Sequence, residues 1–348
     1  MISIIVTLKE RRTMNESDRQ TDLSRKKRGR PDRLVHPFRV IVQKEITDHV
    51  RSWRFLLLIA LIALTCLGSM YTALTNMSDA IKNDDTEGAF LFLKLFTVSD
   101  GTLPSFFVFI GFLGPLLGIT LGFDAVNSEH NKGTLGRILS QPIHRDYLIN
   151  AKFLASITVI SVMFFALGFL VMGIGLISIG IPPTPEEFWR IIFFILLSII
   201  YVAFWLGLSI LFSVRFRQPA TSALSGIAVW LFCTVFYTII VNLIVSAVSS
   251  NNVTIGIRSL NPEALQIGLL RILPNQLFSE ATTTLLMPSV RSLGPLTMQQ
   301  VYGTIPAPLP LGQSILLVWP QVTGLIALTV LFFVISYVSF MKREIRSR

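Results

Sequence analysis

Residues 123–152 read FDAVNSEHNKGTLGRILSQPIHRDYLINAK. This is a polar, charged island between two apolar runs, and it decides how the rest of the chain is laid out. Within it, Thr134 can cap a short helix whose Leu135, Ile138 and Leu139 share a face, and Pro142 ends that helix. His144, Arg145 and Asp146 then precede Tyr147, Leu148 and Ile149, and the apolar pattern continues unbroken into the next run. A short amphipathic helix held between two membrane-crossing runs is placed to lie on the membrane surface and to receive force from outside the bilayer. The same pattern also suits an ordinary solvated loop.

The flanking runs belong to a set of six. Residues 55–74, 104–123, 153–178, 191–214, 220–247 and 315–340 each reach the roughly 20 apolar residues needed to cross a bilayer as a helix. Across 348 residues the chain is 52% hydrophobic and 14% charged, with a mean hydropathy of +0.64, which excludes an ordinary soluble globule. The fold expected is an all-α polytopic membrane protein. An even number of spans puts both termini on one side, and basic residues choose it: 24 Lys and Arg fall in the terminal and even-numbered connecting segments against 6 in the opposite loops. Both termini and the island are expected to be cytoplasmic. The net charge of +10 is then an orientation signal that needs no nucleic-acid partner.

Three domains follow from these runs: a tail over 1–36, an interfacial helix over 37–54, and a six-span domain over 55–348. The tail is polar and basic, and reads as a disordered cytoplasmic segment. Its Arg28-Gly29-Arg30-Pro31 resembles the AT-hook core that reads a DNA minor groove, but a polybasic run beside a membrane also suits anionic lipid. From Pro37 onward, Phe38, Ile41, Val42, Ile46, Val50 and Trp53 share one helical face, with Arg39, Gln43, Lys44, Asp48 and Arg51 on the other. That helix would lie in the membrane interface, or it could be an early extension of the first span.

In the second span Gly114, Gly118 and Gly122 recur every four residues, so one face is nearly bare backbone and open to close packing by another helix. Pro115 removes a backbone donor from the same helix. The short link ending at Pro219 makes the fourth and fifth spans an antiparallel hairpin, and Pro320 is expected to kink the last span. Residues 248–314 are too long for a simple connection. Two amphipathic helices there, one from Pro262 through Leu273 and one restarting at Pro274, read as an external lid on the membrane surface or as an inert loop.

No Asp, Glu, Lys, Arg or His lies inside the six runs, which counts against proton-coupled transport and intramembrane hydrolysis. The four histidines have no metal-ligand spacing, so no bound metal is expected. Cys66 and Cys233 lie inside spans and suggest no disulfide framework. The phosphate-loop pattern Gly-x-x-x-x-Gly-Lys-Ser/Thr is absent, so any ATP-driven work would need a separate subunit.

Phe123-Asp124, Glu129, Gly133-Thr134-Leu135, Leu139 through Ile143, Arg145 and Lys152 resemble the segment between the second and third spans of type 2 ATP-binding cassette permeases. The likeness extends over nearly everything after residue 36. It implies that 124–152 carries the coupling helix that docks on an ATPase. Leu135, Ile138, Leu139 and Pro142 would form the inserted turn, and Glu129 and Arg145 would be charged contacts at its rim. It also implies that 37–54 is the elbow helix. Two cytoplasmic ATPase subunits holding ATP and magnesium, a second permease subunit, identical or not, and a place in the plasma membrane as an exporter complete the expectation. This chain itself would bind no cofactor and catalyse nothing. The large loop before the last span further resembles the copper-processing permeases that mature nitrous oxide reductase. The alternative is a secondary transporter or channel that needs no ATPase.

Overall fold

The computed structural model describes residues 36–75, 90–99, 103–134, 136, 144–250, 262–289 and 308–342. Contacts divide the chain into a unit of residues 1–40 and a unit of residues 41–348. Of the first, only residues 36–40 are described, and they include the opening turn of helix α1 (Pro37–Val50). Among the described residues all regular structure is helical. Six helical runs are long and apolar enough to cross a membrane: Trp53–Thr75, Phe106–Asn131, Arg145–Ile179, Pro185–Arg215, Pro219–Val248 and Leu311–Lys342. The chain is a multi-pass membrane protein.

The first span is α2 (Trp53–Thr75). A short helix α3 (Leu91–Thr97) precedes the second span, α4 (Phe106–Gly122), and its Phe96 sits edge-on to Phe106 and Phe194 at centroid distances of 5.2 and 5.9 Å. The sequence reading did not anticipate α3, because seven residues are too few for periodicity to register. After α5 (Asn127–Asn131) come the third span α6 (Arg145–Ile179) and the fourth α7 (Pro185–Arg215). Thr184 opens α7 with a capping box: its hydroxyl accepts from the Glu187 amide while the Glu187 carboxylate accepts from the Thr184 amide. Only residues 216–218 link α7 to the fifth span, which comprises α8 (Pro219–Leu231), a π-helical turn at Phe232–Phe236 and α9 (Tyr237–Ser250). Helices α10 (Pro262–Leu270) and α11 (Pro274–Leu286) precede the last span, α12 (Leu311–Lys342), which stays helical through Pro320.

The core is built on α7, which packs against α12 on one side and α4 on the other; the α4 contact is the closer in backbone terms. A Cβ built on Gly118 would lie 2.6 Å from the Val202 carbonyl oxygen, and one on Gly122 would lie 2.9 Å from Ser209 Cβ. The two backbones therefore touch where no side chain fits. Polar groups reinforce the seam. Ser209 donates to the Ile119 carbonyl at 3.0 Å. Pro115 leaves the Gly111 carbonyl without its helical donor, and the Tyr201 hydroxyl reaches that carbonyl at 2.9 Å.

Helix α11 does not form a surface lid, whereas α10 packs on α9. Helix α11 runs antiparallel beside α7 inside the bundle: Arg190 donates to the Leu285 carbonyl, and eleven residues further along α7, Tyr201 stacks on Phe278 at 4.3 Å and meets Asn275 Oδ1 at 2.8 Å. At about 1.5 Å per residue, α11 follows α7 for ~16 Å. Amphipathicity shows that α11 has an apolar face, but the covering surface could only come from the fold. Phe278, Ala281, Leu285 and Leu286 are buried there. Such burial requires satisfied ends. Pro274 has no amide hydrogen to satisfy, and Arg190 holds the C-terminal carbonyl.

The seam generates a graded test. Gly118→Ala is expected to lower stability by about 1–3 kcal/mol, as for overpacked sites. Gly173→Ala, where a Cβ would meet nothing within 4 Å, should not lower it. Unfolding of the purified chain in mixed detergent micelles measures both, and equal curves would place this face of α4 against lipid.

Candidate functional site

The island 123–134 is fastened at several points to the elements around it. At its start, the Val126 and Asn127 amides, which head α5 and lack a local side-chain cap, both donate to Ser213 Oγ near the end of α7, at 2.9 and 3.2 Å. Ser213 is thus an N-cap supplied by a different helix. Further along, Asn131 Nδ2 donates to the Arg217 carbonyl at 3.1 Å, in the α7–α8 link. Gly133 then turns the chain with φ +68°, a left-handed conformation natural to glycine, and Thr134 donates to the Glu129 carbonyl.

The third fastening is ionic. Lys152, two turns into α6, donates to Glu45 Oε2 of α1 and to Glu129 Oε1 of α5, both at 2.9 Å. All three are nearly covered, at 4%, 6% and 8% exposure. Lys44 lies 3.1 Å from Glu45 and 3.3 Å from Asp48, and Arg54 at the head of α2 pairs with Asp124 at 3.0 Å while lying over the Phe123 ring. His49 Nε2 and Ser156 Oγ stand 3.0 Å apart. Burial alone would raise the Glu45 carboxyl, but the Lys152 ammonium, with Lys44 behind it, holds it below its ordinary 4.5. Burial pushes His49 below its ordinary 6.5, against the opposing pull of Glu45.

The sequence-expected residues fall as follows. Glu129 is buried between Lys152 and Lys44, where a solvated rim contact was expected. Gly133 and Thr134 form the turn after α5, and Thr134 bonds backward to Glu129 where it was expected to cap a helix ahead. Arg145 is the first residue of α6. Leu135, Ile138, Leu139 and Pro142 lie outside the described residues. On α1, Ile41 and Ile46 pack on the core. Val50 is 49% exposed, and Trp53 is the first residue of α2, beyond the break at 51–52, with 72% exposure, as suits side chains that meet the membrane interface. Glu45 was missed. It belongs to a stripe with Ile41 and His49, spaced four apart, and a carboxylate on the edge of an apolar face was the signal that it had a buried partner.

A second polar centre lies at the other end of α7. Arg190 is fully buried, and its guanidinium donates to Glu186, to the Leu285 and Leu309 carbonyls and to Ser314. Those bonds use every donor a guanidinium has and join the starts of α7 and α12 to the end of α11. Nearby, Glu280 accepts from Arg271, Gln276 and Gln321.

Removing the Lys152 charge would leave two buried carboxylates facing each other. Lys152→Met is expected to cost about 3–5 kcal/mol. The pH dependence follows from the two depressed groups. Each contributes stability that is complete above its unfolded value and lost as pH falls through its lower folded value. The melting temperature should therefore be flat above pH 6.5, decline as His49 charges below it, and fall again below 4.5 as Glu45 takes up a proton. His49→Gln should erase the first decline and leave the second.

The family model for ABC-2 family transporter proteins matches residues 39–345. No curated protein matches the chain. The family match does not reach the copper-processing subgroup. It spans both polar centres, all six spanning helices and the island between the second and third, so the chain belongs to the ABC-2 transporter family and is a membrane permease subunit of an ABC transporter.

Proposed function

We propose that this permease works as one of two six-span protomers above a pair of cytoplasmic ATPase subunits, which hold ATP and magnesium, and that it exports its substrate across the plasma membrane. Both termini and the island 124–152 are cytoplasmic in this reading, as the distribution of basic residues favours. The coupling helix is the turn bearing Leu135, Ile138 and Leu139, closed by Pro142, with Arg145 at its rim. Helix α1 is the elbow, lying in the interface.

One observation carries the reading: the chain on both sides of that turn is fixed to the transmembrane bundle. Before it, α5 is held by Ser213 and by the Glu129–Lys152 pair; after it, α6 continues directly as the third span. A push on the turn would therefore move the spans rather than fold a loop. The pair also ties in α1 through Glu45. The external loop resembles that of the copper-processing permeases, but it names no substrate.

Docking is tested through a residue that contacts no substrate. Leu139→Asp would bury an unpaired carboxylate in the ATPase groove and should weaken docking by several kcal/mol while leaving membrane insertion normal. Co-purification of the ATPase and hydrolysis in reconstituted vesicles read the effect; full retention of both would end the coupling role. Orientation is checked separately with single cysteines in a chain lacking Cys66 and Cys233. A cysteine at Leu270 should label from outside and one at His130 only after permeabilisation. The reverse pattern would invert the topology.

A further inference from the structure

A cavity of about 610 Å³ opens between α1, the start of α2, the end of α4 and α5. Its floor is the buried Glu45–Lys152–Glu129 cluster, and its mouth carries Arg54 and Lys44, whose side chains are 61% and 54% exposed. Three features define what it can hold. Its lining has four cationic side chains (Lys44, Arg54, Lys132, Lys152) and four anionic ones (Glu45, Asp48, Asp124, Glu129), so its formal charge cancels and a ligand with a large net charge gains nothing overall. Glu129 is 8% exposed, and its Oε2, the oxygen not used by Lys152, has no hydrogen-bond partner among the described residues and is closed off from the cavity, so a donor there reaches it once the carboxylate turns slightly outward; a buried carboxylate oxygen calls for such a donor. Lys132, three residues on and hence on the same side of this turn, has no ion-pair partner among the described residues.

An N–H-bearing cation is wanted at depth, and an anion is wanted nearer the mouth. The membrane supplies both in one molecule. Trp53, 72% exposed, marks the interface at the head of α2, where indole rings settle. From Arg54 a stripe of exposed side chains runs along α2 into the bilayer: Leu57, Leu61 and Leu64, at 54%, 45% and 70% exposure and spaced as one helical face. An acyl chain lying on that stripe would bring its headgroup to Arg54.

We propose that this cavity binds the headgroup of an aminophospholipid of the phosphatidylethanolamine type. The ammonium donates to Glu129 Oε2, the phosphate lies between Lys132 and Arg54, and an acyl chain covers the α2 stripe. The bound lipid bridges α1, α2 and α5, and so tightens the same junction that Lys152 holds from the inside. The inference rests on the spanning helices and the cavity, not on the docking of an ATPase.

The test is native mass spectrometry of the full chain released from nanodiscs containing equal amounts of phosphatidylethanolamine, phosphatidylcholine and phosphatidylglycerol. The trimethylated headgroup of phosphatidylcholine has no N–H to donate, and that of phosphatidylglycerol has no cation. Phosphatidylethanolamine should be retained about tenfold over phosphatidylcholine, the ratio for one charge-assisted hydrogen bond made by one lipid and not the other. Glu129→Gln should bring that ratio close to one. Lys132→Ala, at an exposed position that leaves the buried cluster intact, should reduce retention of both zwitterionic lipids. Equal retention of all three lipids by the wild type would overturn the proposal, as would an unchanged ratio in Glu129→Gln together with unchanged retention in Lys132→Ala. Free phosphoethanolamine added at the same concentration should not displace the lipid; if it does, the ligand is a soluble zwitterion and the lipid assignment fails. Leu61→Gln should weaken retention. If it instead splits a dimer on size-exclusion chromatography with retention intact, a second copy of the chain covers the stripe and the proposal is overturned.

Discussion

One ammonium group, that of Lys152, must satisfy two buried carboxylates contributed by two other helices. Burying such a cluster is not by itself a source of stability, because the desolvation of three charges is comparable to what their attraction returns. Its consequence is geometric. Glu45 and Glu129 reach Lys152 at 2.9 Å only when α1, α5 and α6 sit in one arrangement, and any other arrangement strands a charge. The membrane sharpens the constraint. At 35 residues, α6 is ~50 Å long and outlasts a ~30 Å hydrocarbon core, so its first two turns stand at the interface, where a lysine can be kept charged while its partners exclude water.

The α4–α7 seam has the complementary property. It holds no charge at all and is fixed by contact between backbones at Gly118 and Gly122. Helix α7 is the most enclosed of the spans, with 78% of its apolar window buried, whereas the fifth span has 11%. Side chains on the fifth span, such as Leu224 and Leu243, point outward at 69% and 65% exposure. The π-helical turn lies in this loosely held span, and Thr234 within it accepts from Asn275 of α11, which in turn meets Tyr201. The tight pair and the loose span are thus joined by a short polar relay rather than by packing. The hydroxyl of Tyr201 faces two acceptors with one proton, so this relay is a weaker joint than the glycine seam beside it.

What could be read from the sequence follows from what periodicity encodes. Six apolar runs give six spans, the short gap between two of them locates the hairpin at 216–218, and Pro37 with the amphipathic pattern after it marks the start of α1. Depth and partner choice are a different matter. The amphipathic pattern of α11 is identical whether its apolar face meets lipid headgroups or the side of α7, so the surface placement was a reasonable reading of an ambiguous signal. Arg190 and Lys152 stand one residue outside the apolar runs as drawn, where a charge looks like an ordinary flank. Their burial comes from carbonyls and carboxylates more than 90 residues away for Arg190 and 107 away for the Lys152–Glu45 pair, separations that no local window can see. Glu129 was visible as a residue of interest through family likeness, but the direction its carboxylate points was not.

Both polar centres are attached to the same helix pair, and this sets how the molecule can move. At one end of α7, Ser213 caps α5 and Arg217 accepts from Asn131; at the other, Arg190 binds the end of α11 and the start of α12. Between them lie ~35 Å of helix, of which the stretch from Val202 to Ile210 meets the α4 backbone at Gly118 and Gly122, a seam that can translate or tilt but cannot slide by a fraction of a residue without a clash. A displacement of α5 that preserves its bonds to Ser213 therefore carries α7, and with it α11, whose buried end is clamped 23 residues earlier in the same helix. The energetic order of the joints decides where such a motion is absorbed. Charged and backbone contacts hold the two ends and the seam, whereas the π-helical turn of the fifth span is tied to α11 by one neutral hydrogen bond, the weakest kind of joint among them.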